Sequence, residues 1–317
     1  MRFLGRLLVV VCIAYGIGVY TAIPVNPEVA FWKQLMEVRK KEVAQVRQQN
    51  PDKRIIFFTG GSSCAFSVDP KIVEDICGLS AFNLGLPVFA GNKYILNQAL
   101  EQTHKGDILI VCIEPDTLTC GAGSPSTPLA FALGVLDGKP SDAAGGGTFS
   151  GKLSFRDYLN LSRPGSRYIA TWLIKFFVRK GYRYTPQDIR YHGRLETTVS
   201  DPGMQASGPN PATRLSVDGR ELLKSFKVAA DARGVRVAYS MPWVYTAEGS
   251  VTVNRANKGQ LMGDIGSIMP AIDDGFTGVV SEAAYFADSG LHLTAKGSAV
   301  RSQALARALD PWIVKVR

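Results

Sequence analysis

Two short segments at opposite ends of the chain hold residue types that together can run acyl transfer. Near the start, Phe57-Phe58-Thr59-Gly60-Gly61-Ser62-Ser63 delivers a serine, Ser63, from an apolar run through a glycine turn. A buried strand fixes such a serine in place, glycine permits the tight turn, and the N–H groups of a following helix end can face an oxyanion. The same pattern also fits a plain helix cap, in which Ser62 or Ser63 serves only the backbone. Near the other end, Phe286-Ala287-Asp288-Ser289-Gly290-Leu291-His292-Leu293-Thr294 sets Asp288 four residues ahead of His292. In a suitable loop the carboxylate orients the imidazole, which then takes a proton from a hydroxyl. The chain holds three histidines. His104 closes a helical stretch beside Lys105. His192 is the rival base, with Asp188 and Glu196 each four residues away, but no strand leads into it. Cys64 lies one residue past the position the turn presents, so Ser63 rather than Cys64 is the expected nucleophile.

These residues need a scaffold, and the hydrophobic pattern supplies one. Apolar, β-favouring runs at 54–59, 80–84, 108–113, 235–240 and 276–280 alternate with helical patterns at 69–77, 92–104, 219–233 and 297–309. That rhythm predicts an α/β fold: a doubly wound, mainly parallel sheet flanked by helices in three layers. A further helix pattern runs up to residue 268, after a breaker at Asn257-Lys258-Gly259. Ser63 follows the first strand, and the Asp288–His292 loop follows the last strand candidate. In a parallel sheet both loops emerge at the carboxyl edge, where ligands tend to bind. Trp243 and Tyr245 follow the strand ending at Met241-Pro242 and are expected at that edge as sugar-stacking residues. Residues 120–150 are rich in Gly, Ser, Pro and Ala, and 198–212 are also loop-like. An aromatic, cationic helix pattern at 168–179 lies between them. We therefore expect one domain over 51–317 with an insertion at about 117–215.

The N-terminus sets the expected compartment. Arg2 and Arg6 precede an uncharged apolar run of 17 residues, 7–23. No small-x-small cleavage pattern is evident, so residues 1–27 read as a signal anchor, with 28–50 as a helical stalk. Placing the first arginines inside puts the body outside the cytoplasm, on the periplasmic face of the inner membrane.

The order Gly-Ser-Ser, then Asn83-Leu84-Gly85, then Asp-x-x-x-His-Leu resembles the SGNH (GDSL-like) hydrolase superfamily. It looks most like the membrane-anchored envelope branch, similar to proteins of alginate O-acetylation and teichoic acid D-alanylation. The resemblance spans roughly 50–116 and 216–312. It implies Ser63 as nucleophile, His292 as base and Asp288 as orienting acid, with Ser62 where the better-known pattern has Asp. It also implies an oxyanion hole from the backbone N–H groups of Gly85 and Ser63. Two features depart from the pattern. Asp288 and His292 are four apart where three is usual. The strand at 108–113 is followed by Glu114-Pro115-Asp116, without the Asn that normally donates to the oxyanion; Asn83 or Asn92 is then the substitute donor. Loss of one such donor costs about 10²–10³ in rate.

The composition narrows the function classes. A charge of +9 is accompanied by no nucleic-acid motif. Five cysteines form neither a CxxC pair nor a zinc spacing, and no metal or organic cofactor is implied. The expectation is an extracytoplasmic serine esterase or O-acyltransferase acting on an envelope or secreted polysaccharide. It would be held to the membrane by its N-terminal helix, beside an acyl-transfer or polysaccharide export complex. The alternative is a catalytically weak SGNH-like scaffold subunit of such a complex. A hydrolase of membrane lipids is a third reading.

Overall fold

The computed structural model describes residues 2–119, 128–139, 183–197, 201, 203–210 and 213–314. The helix pattern at 168–179 lies outside them. The chain divides into two compact units, one of 1–34 with 126–185, the other of 35–125 with 186–317.

In the first unit, α1 spans Arg2–Val25. It exposes apolar side chains from Phe3 to Ile17. Among the described residues no helix is long and apolar enough to cross a membrane, so the expected anchor at 1–27 finds no support there. The helix α2, Pro27–Gln49, starts in this unit and continues into the second. Within the first unit Phe31 packs edge-on against Trp32, and Lys33 pairs with Asp137.

The second unit carries the sheet. β1 (Ile55–Gly60), β2 (Ser80–Asn83), β3 (Ile108–Cys112), β4 (Arg236–Ser240) and β6 (Ala271–Ile272) form one parallel sheet in the order β2-β1-β3-β4-β6. Apolar side chains fill both faces of β1 and β3, as a strand covered by helices on each side requires. One face packs on α3 (Ser62–Ser67), α4 (Pro70–Cys77) and the closing helix through Ile56, Phe58, Ile110, Val73, Leu305 and Leu309. The other face meets α5 (Asn92–Glu101), where the Thr59 hydroxyl reaches the Ile95 carbonyl. The second half of α2 belongs to this unit and packs within it. Leu35, Met36 and Val43 are buried, and Arg39 donates to the carbonyls of Gly85 and Gly193 at 2.7 and 2.6 Å. Among the described residues the other α-helices are α6 (Pro115–Thr119) here, α7 (Pro128–Leu136) in the first unit, and α8 (Val217–Ala232), α9 (Val251–Gly266) and α10 (Ala295–Val314) here.

Two differences from the sequence expectation bear on the site. The run at 276–280 does not join the sheet. It gives β7 (Val279–Val280), which pairs with β5 (Val244–Tyr245) in a separate two-stranded parallel ribbon, and the sheet ends instead at the two-residue β6. The supposed breaker at 257–259 lies inside α9. Tertiary bonds hold it helical: Lys258 is buried with Nζ donating to the Gly278 carbonyl at 2.7 Å, and Asn257 donates to the Asn210 carbonyl.

From β1 the chain passes to β2 on one side, then returns to β3 on the other. The carboxyl ends of β1 and β3 therefore flank the topological switch point, where open α/β sheets place their ligands.

Candidate active site

β1 ends in Gly60, paired with Cys112 of β3. A Cβ on Gly60 would overlap the Cys112 carbonyl, and one on Gly61 would overlap the Glu114 carboxyl. Both glycines are thus set by the close approach of β3. Gly61 then caps α3 without a side chain, and Ser62 is the first helical residue.

That phase decides which serine faces the base. His292 Nε2 lies 2.9 Å from Ser62 Oγ, and its Nδ1 lies 2.7 Å from Asp288 Oδ1. Ser63, the expected nucleophile, points the other way. It is fully buried, and its hydroxyl donates to Glu114 Oε1 at 2.7 Å. Successive residues at a helix start are turned about 100° from one another, so one can face the cleft while the next faces the sheet. Ser62 is half-buried, more open than Ser63. The expected carboxylate and base do meet at the carboxyl edge, but with Ser62.

The loop of Asp288 and His292 is closed by its own backbone. Phe286 and Leu293 form an antiparallel bridge, and the Ala287 N–H donates to the His292 carbonyl at 2.9 Å. The Ser289 hydroxyl accepts from the N–H groups of Leu291 and His292. This tight loop accommodates a four-residue spacing while bringing carboxylate and imidazole together. The imidazole stacks on Phe66 of α3, with centroids 4.4 Å apart. Asp288 is buried, which shields its hydrogen bond to His292 from water.

The expected oxyanion donors are engaged elsewhere. The Gly85 N–H donates to Asn83 Oδ1 at 3.0 Å. Asn83 Nδ2 donates to the carbonyls of Cys64 and Val68 and so ties down the end of α3. Asn92 donates to the Thr117 hydroxyl. The Ser63 N–H faces Glu114 Oε1 at 3.3 Å. Among the described residues no acceptor takes the Ser62 N–H, which leaves it as the backbone donor at the site. Trp243 is fully buried, with its indole N–H donating to Asp274 at 2.7 Å, so it offers no face to a sugar. Tyr245 is half-buried and lies against the triad loop, its N–H donating to the Gly290 carbonyl. Cys64 is fully buried against the sheet.

The residue that sequence reasoning passed over is Glu114. Its carboxyl is buried at the end of β3, against Gly61 and bonded to Ser63, and burial raises its pKa. Hydrogen bonds from Ser63 and the charge of His292 pull the other way without prevailing. The signal was present in the missing Asn after β3, noted as a gap rather than as a replacement. Among the described residues no group of three His, Cys, Asp or Glu side chains is placed to hold a metal ion.

No protein-family model matches the chain, and no curated protein matches it.

Proposed function

We propose that the protein is a serine-dependent acyl-transfer enzyme, an esterase or O-acyltransferase of the SGNH type, with Ser62 as nucleophile. The observation that carries this reading is the continuous Asp288–His292–Ser62 chain of 2.7 and 2.9 Å contacts beside the sheet's switch point. Such spacing suits general-base activation of a hydroxyl.

His292 Nε2 takes the proton as Ser62 Oγ adds to an ester carbonyl, and Asp288 holds the imidazole in the tautomer that leaves Nε2 free to accept it. The tetrahedral adduct collapses, the leaving alcohol takes the proton from His292, and the acyl group remains on Ser62. Water or a sugar hydroxyl then repeats the cycle and releases the serine. The half-buried Tyr245 beside the loop is the stacking residue left for a sugar, Trp243 being enclosed.

An envelope or secreted polysaccharide as substrate, an export or acyl-transfer complex as partner, and a body outside the cytoplasm rest on the sequence resemblance and on the pattern of residues 1–27. The scaffold reading keeps one argument in its favour: Gly85, Asn83 and Asn92 have their donors bonded within the protein.

A fluorophosphonate probe separates the two. The enzyme reading expects one adduct, mapped to Ser62 and absent in Ser62→Ala. A folded protein that stays unlabelled at every pH supports the scaffold.

A further inference from the structure

The relay needs Ser62 Oγ within reach of His292, and the two stand on different elements. Asp288 and His292 share one closed loop, whereas Ser62 rides on the first turn of α3. The contact therefore depends on what fixes α3. Two backbone N–H groups from loops far apart in sequence grip it. The Leu86 N–H donates to the Gly60 carbonyl at 3.0 Å, just ahead of the serine turn, and the Leu195 N–H donates to the Ala65 carbonyl at 2.8 Å. Gly85 packs so closely on α3 that a Cβ there would overlap the Ala65 nitrogen.

One side chain joins both loops. Arg39 of α2 is buried, with Nη1 donating to the Gly85 carbonyl at 2.7 Å and Nη2 to the Gly193 carbonyl at 2.6 Å. The first carbonyl belongs to the peptide whose N–H, on Leu86, reaches Gly60. The second lies two residues before Leu195. Gly193 has φ 83°, and a Cβ on it would meet Arg39 Nε and the Asn83 carbonyl, so this backbone is fitted to the guanidinium. Arg194 and His192 fasten the same segment to Asp69 and Glu74, whereas Arg39 carries it across to the Gly85 loop. Both partners of Arg39 are neutral backbone oxygens. The group stays charged at neutral pH, although burial pulls its pKa down to about 9. A planar guanidinium spans two separated acceptors in a fixed geometry, and the point charge of a lysine does not.

Resting on the serine reading above, we propose that Arg39 is a positioning residue for acyl transfer. Through the Gly85 and Gly193 loops it holds α3 where Ser62 Oγ meets His292. It acts only through those loops. Asp288 and His292 are bonded to each other independently of it, so its loss leaves the base intact and displaces the nucleophile.

The test follows fluorophosphonate labelling at Ser62 in the wild type, Arg39→Met, Arg39→Lys and Arg47→Met, with rate constant and final extent read separately. A misplaced nucleophile lowers the rate constant of every molecule, while a merely unstable fold lowers the extent. Arg39→Met should label about 10- to 100-fold more slowly yet to full extent, since a shift of about 1 Å set up far from the chemistry can cost about 10²-fold. Arg39→Lys, which keeps the charge and loses the fork, should fall between Arg39→Met and the wild type. The midpoint of the acid limb should not move, because His292 and Asp288 set it. Arg47, on the same helix, bonds Asp107 and the Lys53 carbonyl at the amino edge of the sheet. Arg47→Met should lose stability and keep the wild-type rate constant.

Arg39→Met labelling at the wild-type rate constant overturns the proposal, as does an acid limb that shifts or an Arg47→Met protein slowed as much. Where Arg39→Met does not fold, a wild-type rate constant in Arg39→Lys overturns it. Failure of both to fold also does, since Arg39 would then serve the fold rather than the reaction. A wild type that takes no label defeats the serine reading itself, whereas a labelled wild type matched by the Arg39 variants defeats the positioning role alone.

Discussion

His292 and His192 each turn Nδ1 toward a carboxylate, Asp288 at 2.7 Å and Glu74 at 3.1 Å, and each stacks on a phenylalanine, Phe66 at 4.4 Å and Phe82 at 4.1 Å. His292 sits at the carboxyl edge of the sheet with Nε2 on a half-buried serine. His192 sits beside the edge strand β2. Its Nδ1 also meets the Ala81 carbonyl at 2.9 Å, its ring stacks on Tyr191, and that phenol donates to Glu74. It holds a left-handed backbone, φ 48°, unusual for a residue with a side chain. The second cluster spends its hydrogen bonds on docking residues 191–193 to the sheet edge. A histidine–carboxylate pair can therefore serve purely as a structural fastener. It becomes a catalytic relay only where the other ring nitrogen meets a nucleophile at a place a substrate can reach.

The largest expected effect breaks the comparison outright. Ser62→Ala and His292→Ala should each lower esterase activity toward a simple aryl ester by about 10³-fold or more. His192→Ala should leave kcat/KM within about twofold. Equal losses at the two histidines would erase the distinction.

Asp288→Asn comes next. The amide changes which ring nitrogen carries the proton, and a drop in kcat of about 10³–10⁴ is expected with the fold intact. Glu74→Gln, the matching change at the other pair, should leave kcat alone. A stopped-assay comparison of the two purified variants, with circular dichroism as the folding control, reads this directly.

Ser63→Ala sharpens the contrast within a single turn. The change removes the hydroxyl bonded to Glu114 and leaves a buried acceptor short of a donor, at a cost of about 1–3 kcal/mol in stability. Activity should stay within about tenfold of the wild type. Loss of labelling in folded Ser63→Ala, with Ser62→Ala still reactive, would restore Ser63 as the nucleophile.

Much of this was legible in the sequence, for identifiable reasons. Fully apolar runs such as Ile55-Ile56-Phe57-Phe58 and Ile108-Leu109-Ile110-Val111 must be covered on both faces, so the parallel sheet followed from them. Asp288 and His292 stand in a glycine-containing loop between the last strand candidate and the last helix, a setting that neither His104 nor His192 shares. What escaped depended on angles and tertiary partners. The choice between Ser62 and Ser63 turns on where α3 begins, a one-residue boundary that local pattern leaves open. The Gly85 N–H reaches the right strand edge but is taken by Asn83 two residues earlier. Trp243 lies near the carboxyl edge, yet the half-buried acceptor Asp274 draws its indole inward. The two-residue strand β6 is too short to leave a pattern. Glu114 looked like an absence because a buried acid is recognised only by what surrounds it.

The smallest effect separates Glu74 from Glu114 by the sign of their pH dependence. Burial of Glu74 raises its pKa, but hydrogen bonds from His192, the Ala81 N–H and Tyr191 outweigh it, so the net shift is downward from 4.5. Its stabilising share is then full above the ordinary carboxylate value and is lost as pH falls through the folded value. Glu114 is shifted upward by burial, so its share is full below 4.5 and is lost as pH rises through the folded value. Urea midpoints measured from acid to alkaline pH should show the two slopes. Glu74→Gln should flatten the acid side, and Glu114→Gln the side above 4.5, where burial also raises Asp274 and Glu42 and leaves a residual slope. If Glu114→Gln instead flattens the acid side, Glu114 is ionised in the folded protein. The carboxyl bonded to Ser63 would then be an ionised fastener like Glu74.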